Sequence, residues 1–123
     1  MRELLGLPRD GDKWEVALVF AQRAGLNEPS EESTVNYLAA VVDCLRDTLL
    51  RQPGYLFDPA EAAHSVLGCA REQVDPKEEP TWRADLGVAG SLQSRLAIFL
   101  ASSVIPKMAR AQLIEIDPPP EPE

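Results

Sequence analysis

The chain has a single histidine, His64, and only two cysteines, Cys44 and Cys69. That scarcity excludes most reactive centres that must be assembled from several such groups. No Cys/His spacing suited to zinc occurs, and any nucleophile–imidazole pair would have to use His64. The 7 glycines are scattered, with no glycine-rich loop of the kind that cradles phosphate. Long apolar runs are missing too. The longest, Leu96–Ile105, is interrupted by Ser102 and Ser103 and reaches about half a membrane span. Met1–Pro8 holds too short an apolar run for a secretory signal, so the two cysteines are expected as reduced, buried thiols in a cytoplasm. Aromatic residues make up only 6% of the chain, so alanine, leucine and valine must fill the core. Small side chains of this kind favour helices that approach one another closely.

What is present fits one globular domain: 123 residues, 45% hydrophobic and 26% charged. The net charge of −8 is concentrated rather than spread. Acidic residues gather at Glu28, Glu31 and Glu32, at Asp75, Glu78 and Glu79, and at Glu115, Asp117, Glu121 and Glu123. These positions fall in expected connections, at a helix start and in the C-terminal tail. Such a charge disfavours nonspecific contact with nucleic acid or an anionic membrane.

Four segments carry apolar residues at helical period. Asp12 followed by Glu15 reads as a capping box opening a helix that Gly25 closes, with Trp14, Leu18, Ala21 and Ala24 on one face and Val16, Val19 and Phe20 widening it. Ser30 is placed to cap a second helix over 30–52. There Val35, Leu38, Val42, Leu45 and Leu49 follow 3-4-3-4 spacing, with Tyr37, Val41, Cys44 and Thr48 alongside. A stripe this wide implies at least two neighbours, so this helix is the expected spine. Asp58-Pro59-Ala60-Glu61 opens a third helix with inner positions Ala62, Ala63, Val66, Leu67, Ala70 and Val74. Gly68 inside it suggests close approach of a partner helix. Pro76 and Pro80 leave 75–90 as the least regular interior stretch. A fourth helix runs over 88–104, with Leu92, Leu96, Phe99, Leu100 and Ser103 inward. Pro106 then forces a kink or a restart, with a short final helix over 106–113.

Several constellations could carry chemistry. Glu61 and His64 form a Glu-x-x-His pair on one helix face, which resembles the metal-binding pairs of ferritin-like di-iron carboxylate proteins. Two such pairs are needed there, so the resemblance implies a metal held across a symmetric oligomer. Glu61 also stands where a capping glutamate belongs. Ala21, Ala24, Gly25 and Leu26 followed by Thr34 and Val35 resemble the helix-turn-helix of lactose-repressor-type DNA-binding proteins, with extra residues in the turn and Glu28, Glu31 and Glu32 where phosphates would approach. Asp43 and Asp47, with Arg46 and Arg51 nearby, read as a solvated helix face. Tyr55, Phe57 and Trp82 all fall in expected connections, where an aromatic ring either covers the core or anchors a partner.

The sequence therefore predicts an all-α protein, a compact bundle of four main helices with short terminal helical segments. It assigns 1–114 to the helical domain and 115–123 to an acidic, proline-rich, mobile tail. The expected function is contact rather than catalysis: a non-enzymatic accessory or adaptor subunit, or a small protein inhibitor, without cofactor or metal. Its expected partners are proteins, a homodimer included, with Tyr55, Phe57 and Trp82 as candidate contacts. A helix-turn-helix DNA-binding protein and an oligomeric metal-binding protein using Glu61 and His64 are the alternatives.

Overall fold

Asp12 starts the first helix as its spacing predicts: the carboxylate accepts from the backbone N–H of Glu15 at 3.0 Å. This opening begins the described part of a computed structural model, which covers residues 12–50, 56–87, 92–111 and 115–116. Helix α1 spans Lys13–Ala24. It closes on Gly25 at φ 74°, with the N–H of Gly25 donating to Gln22 and that of Leu26 to Ala21. Only a residue tolerant of the left-handed region makes this paired closure without strain. The inner face differs from the expected one. Val16, Ala17, Phe20, Ala21 and Ala24 are buried, whereas Trp14 is 41% exposed. The apolar positions of this segment fit two neighbouring stripes: Val16, Phe20, Ala21 and Ala24 are inward as expected, and Ala17 takes the place given to Trp14.

Helix α2, Glu32–Leu45, continues into a wider π-type stretch, Arg46–Leu50. It is the spine: Val35, Tyr37, Leu38, Val41, Cys44 and Leu45 are all fully buried, and α1 packs against it. So do helix α3, Pro59–Gln73, and helix α4, Glu79–Leu86. Ser30 does not cap α2 by its own side chain. The cap residue is Glu31, which makes no side-chain cap bond. The cap comes instead from α4, where Asp85 accepts from the backbone N–H of the cap residue Glu31 at 3.0 Å, from that of Ser30 before it at 2.9 Å, and from the Ser30 hydroxyl. A carboxylate at a helix N-terminus also gains from the helix dipole.

Asp58 and Pro59 open α3 as expected, with Asp58 accepting from Ala60 N–H at 3.0 Å. Its buried residues are Ala62, Ala63, Val66, Leu67 and Ala70. Gly68 faces open space, with nothing within 4 Å of where a Cβ would stand, so no helix approaches it. The stretch expected to be irregular holds a 3-10 turn, Pro76–Glu78, and then α4. Pro80 lies in the first turn of α4, where the missing N–H has no helical acceptor anyway. Gly87 closes α4 at φ 71°, and the Asn27 amide occupies the space a Cβ would need there.

Helix α5, Leu92–Phe99, passes through a π-type stretch, Leu100–Val104, into helix α6, Ile105–Arg110. Pro106 therefore neither ends nor restarts the helix. The backbone widens just before it and carries on, which accommodates the lost donor and the bulk of the ring. Residues 88–91 and 112–114, where the fourth and final helices were expected to begin and end, lie outside the described residues. Two short strands, β1 (Leu56–Phe57) and β2 (Glu115–Ile116), pair in parallel, Leu56 with Glu115 and Phe57 with Ile116. Residues 115 and 116 are thus part of the fold rather than of the tail, and 117–123 lie outside the described residues. The architecture is an all-α bundle.

The cysteines correct an expectation. Cys44 on α2 and Cys69 on α3 are joined as a disulfide, with Cα atoms 6.1 Å apart, so they are not a pair of free thiols. The two positions lie at similar distances from the connection between two packed helices, which brings them together. The Gln73 amide donates toward both sulfurs, at 3.3 Å to Cys44 and 3.5 Å to Cys69.

Two outcomes follow for stability. The disulfide closes a loop of 25 residues, which by chain entropy stabilises the fold by about 3 kcal/mol. Urea unfolding of the Cys44→Ala/Cys69→Ala double variant, or of the reduced protein, should show that loss, and equal stability would contradict it. For Asp85, burial pushes the carboxyl upward, but hydrogen bonds from Ser30 and the backbone of Ser30 and Glu31 outweigh it and hold the acid below its usual range. The Thr34 hydroxyl adds to the lowering from just outside bonding geometry. Stability from a lowered acid is present above its unfolded pKa and disappears as pH falls through the folded one. Asp85→Ala should therefore cost about 1 kcal/mol at neutral pH, and this difference from the wild type should vanish in acid.

Candidate functional site

The residues with the most reactive side chains do not converge. Glu61 and His64 are both exposed on α3. Among the described residues, no group of three His, Cys, Asp or Glu is close enough to share a metal ion. Asp43 is exposed on α2, and Asp47 is half-buried with its carboxylate 3.9 Å from Arg46. Arg51 lies outside the described residues. The helix-turn-helix resemblance meets a different obstacle. Thr34 and Val35, at the start of the would-be recognition helix, are fully buried. The outward face of α2 carries Glu32, Asn36 and Asp43, so the residues it shows to solvent include two acids and no base before Arg46.

Of the three aromatic candidates, Tyr55 lies outside the described residues, and Phe57 is placed only through its backbone in β1. Trp82 is buried, 1% exposed, on the inner side of α4. Its ring stacks on Tyr37 with centroids 3.9 Å apart and planes within 3°. Trp82 thus covers the core, and its ring has no surface to offer a partner in this conformation. The Tyr37 hydroxyl accepts from Gln93 at 3.1 Å, which ties α5 to the spine. Burial raises the Tyr37 pKa, against the opposing effects of that hydrogen bond and of Arg83. Arg83 lies over the outer part of the stack, 5.2 Å from the Trp82 ring, and Glu79 binds Arg83 at 2.9 Å and Arg71 at 3.1 Å. Guanidinium on an indole face is a favourable cation–π arrangement. Beside this cluster runs a groove of about 440 Å³ reached past Gly68, Arg71, Asp75 and Glu79. Among its charged side chains Arg71 and Glu79 pair with each other.

The second concavity has a different character. It holds about 400 Å³ between α1 and α5 and is lined by Ala24, Ser94, Arg95, Ile98 and Phe99. A smaller one of about 160 Å³, lined by Arg23, Phe99, Ser103, Val104 and Lys107, meets it at Phe99. Phe99 is half-buried and packs edge-on against Phe20, ring centroids 5.4 Å apart. Ile98 stands out beside it with 66% of its surface exposed. Sequence reasoning missed this site. The periodicity places Phe99 inward with Leu92, Leu96 and Leu100 and leaves Ile98 off that face, but it does not mark the two as parts of one groove. One signal was present: no aspartate or glutamate occurs between Asp85 and Glu115 in a strongly acidic chain.

Compared with known family models, curated proteins and solved structures, the chain matches none. No helix among the described residues is long and apolar enough to cross a membrane.

The buried stack yields a direct outcome. Trp82→Ala should lower stability by about 3–5 kcal/mol, the usual cost of emptying a core site of that size. Chemical denaturation measures it, and an unchanged midpoint would mean that the indole is not part of the core.

Proposed function

We propose that this chain is a non-enzymatic helical interaction protein, an accessory or adaptor subunit or a small inhibitor, whose partner is another protein. The observation that carries the reading is Ile98, 66% exposed on a regular helix and adjoining the apolar groove at Phe99. An exposed aliphatic chain next to a half-buried ring forms a patch that gains free energy when covered. Catalysis is not part of the reading, because among the described residues no third His, Cys, Asp or Glu joins Glu61 and His64. Tyr55 and Phe57 stay in the reading as further contacts, and Trp82 leaves it. A homodimer is one form the association could take. Neither DNA recognition nor a metal centre at Glu61 and His64 gains support from a specific contact. A cytoplasmic setting fits the sequence, and reducing conditions there would hold Cys44 and Cys69 as thiols, so the bonded pair corresponds to an oxidised state.

Affinity capture from native lysate with mass-spectrometric identification tests the reading. A protein partner retained in stoichiometric amount, and absent from a capture with an unrelated acidic helical protein, is the expected result. A clean monomer carrying stoichiometric metal, or turnover abolished by His64→Ala, would overturn it.

A further inference from the structure

The charges around the Phe99 groove differ from those of the rest of the surface. Elsewhere among the described residues Lys13, Arg46, Arg71 and Arg83 each lie against a carboxylate, Lys77 belongs to the acidic 75–79 stretch, and Arg110 at the end of α6 stands singly. At the groove, Arg23 comes from α1, Arg95 from α5 and Lys107 from α6, and none of them has an ion-pair partner among the described residues. The Arg95 guanidinium lies beside the end of α1, 3.4 Å from where a Cβ on Gly25 would stand. The sequence removes the competing charge: no acid occurs from Val16 to Asn27 or from Leu86 to Ile114. A chain of net charge −8 thus holds, around one apolar groove, three cations without an ion-pair partner among the described residues.

We propose that this groove is the docking site for an acidic amphipathic segment of a protein partner. An aliphatic side chain of that segment packs on Phe99 and Ile98, and its flanking carboxylates meet Arg23, Arg95 and Lys107. The proposal rests on the interaction reading above and adds the partner's chemistry. Charge complementarity selects the occupant. Three cations around an apolar floor suit a short acidic segment with an anchor, which is the helix-in-groove mode of recognition. Extended polyanions such as duplex DNA would also meet the repulsion of the remaining acidic surface. The chain's own tail from Asp117 to Glu123 is acidic but contains only prolines as apolar residues, so it brings no aliphatic anchor.

Selection of a displayed random-peptide library on the immobilised full chain tests the proposal. Enriched peptides should carry leucine, isoleucine or phenylalanine flanked by aspartate or glutamate, and their binding should weaken with added salt. Ile98→Glu and Arg95→Glu should each weaken a selected peptide by about tenfold or more with an unchanged thermal midpoint, whereas Arg71→Glu at the other groove should leave it unchanged. Any one of several results overturns the proposal: no enrichment, enrichment of basic or neutral peptides, or binding indifferent to Ile98 and Arg95. So does tighter binding of random duplex than of any selected peptide, or a marked gain in affinity on deleting 117–123, which would make the tail the occupant. Concentration-dependent dimerisation abolished by Ile98→Glu would assign the groove to a second copy and equally defeat it. A native partner captured as well by Ile98→Glu as by the wild type would sink this inference alone and leave the interaction reading standing.

Discussion

Helix α2 has apolar residues on nearly every side, and the rest of the molecule is arranged to enclose it. Val35, Leu38, Val41 and Leu45 are buried together with Tyr37 and Cys44, so no single neighbour could cover the helix. Three helices do so: α1, α3 and α4. Each contact is then reinforced by a different kind of interaction. The disulfide ties α2 to α3, the Tyr37–Trp82 stack ties it to α4, and Asp85 of α4 caps its N-terminus through the N–H groups of Ser30 and Glu31. Lys13 reaches from α1 to Asn36 at 2.9 Å. Enclosure leaves α2 one outward stripe, which includes Glu32, Asn36 and Asp43.

The consequence for function is a division of the surface. The side of α3 and α4 is mainly acidic, with Glu61, Glu72, Asp75 and Glu78 beside the Arg71–Glu79–Arg83 chain that covers the buried aromatic stack. Surface pairs of this kind contribute little to stability. The side of α1, α5 and α6 is the opposite, with cations that have no ion-pair partner among the described residues, an exposed isoleucine and a half-buried phenylalanine. The proposed interaction reading rests on that side. The single imidazole and the bonded sulfurs leave the described surface poor in reactive groups.

Much of the helical layout was legible from local signals. Asp12, Gly25, Asp58 and Pro59 mark helix ends through short-range hydrogen bonds and backbone preference, so their effect does not depend on the tertiary fold. Pro80 was misleading because proline in the first turn of a helix and proline in an irregular loop look the same along the sequence. Pro106 was misleading in a different way, since a widened turn before it absorbs the ring without ending the helix. The choice between Trp14 and Ala17 as inward residues on α1 was not legible at all, because both stripes satisfy the helical period.

By itself the sequence determined the helical class, the identity of the spine, the caps made within one helix and the absence of acid from 86–114, all of which depend on residue order and local chemistry. The tertiary structure alone decided that Cys44 meets Cys69, that the α2 cap comes from Asp85 and that Trp82 closes the core. Those outcomes depend on the relative direction of helices distant in sequence, which periodicity leaves free and which only simultaneous burial around α2 fixes.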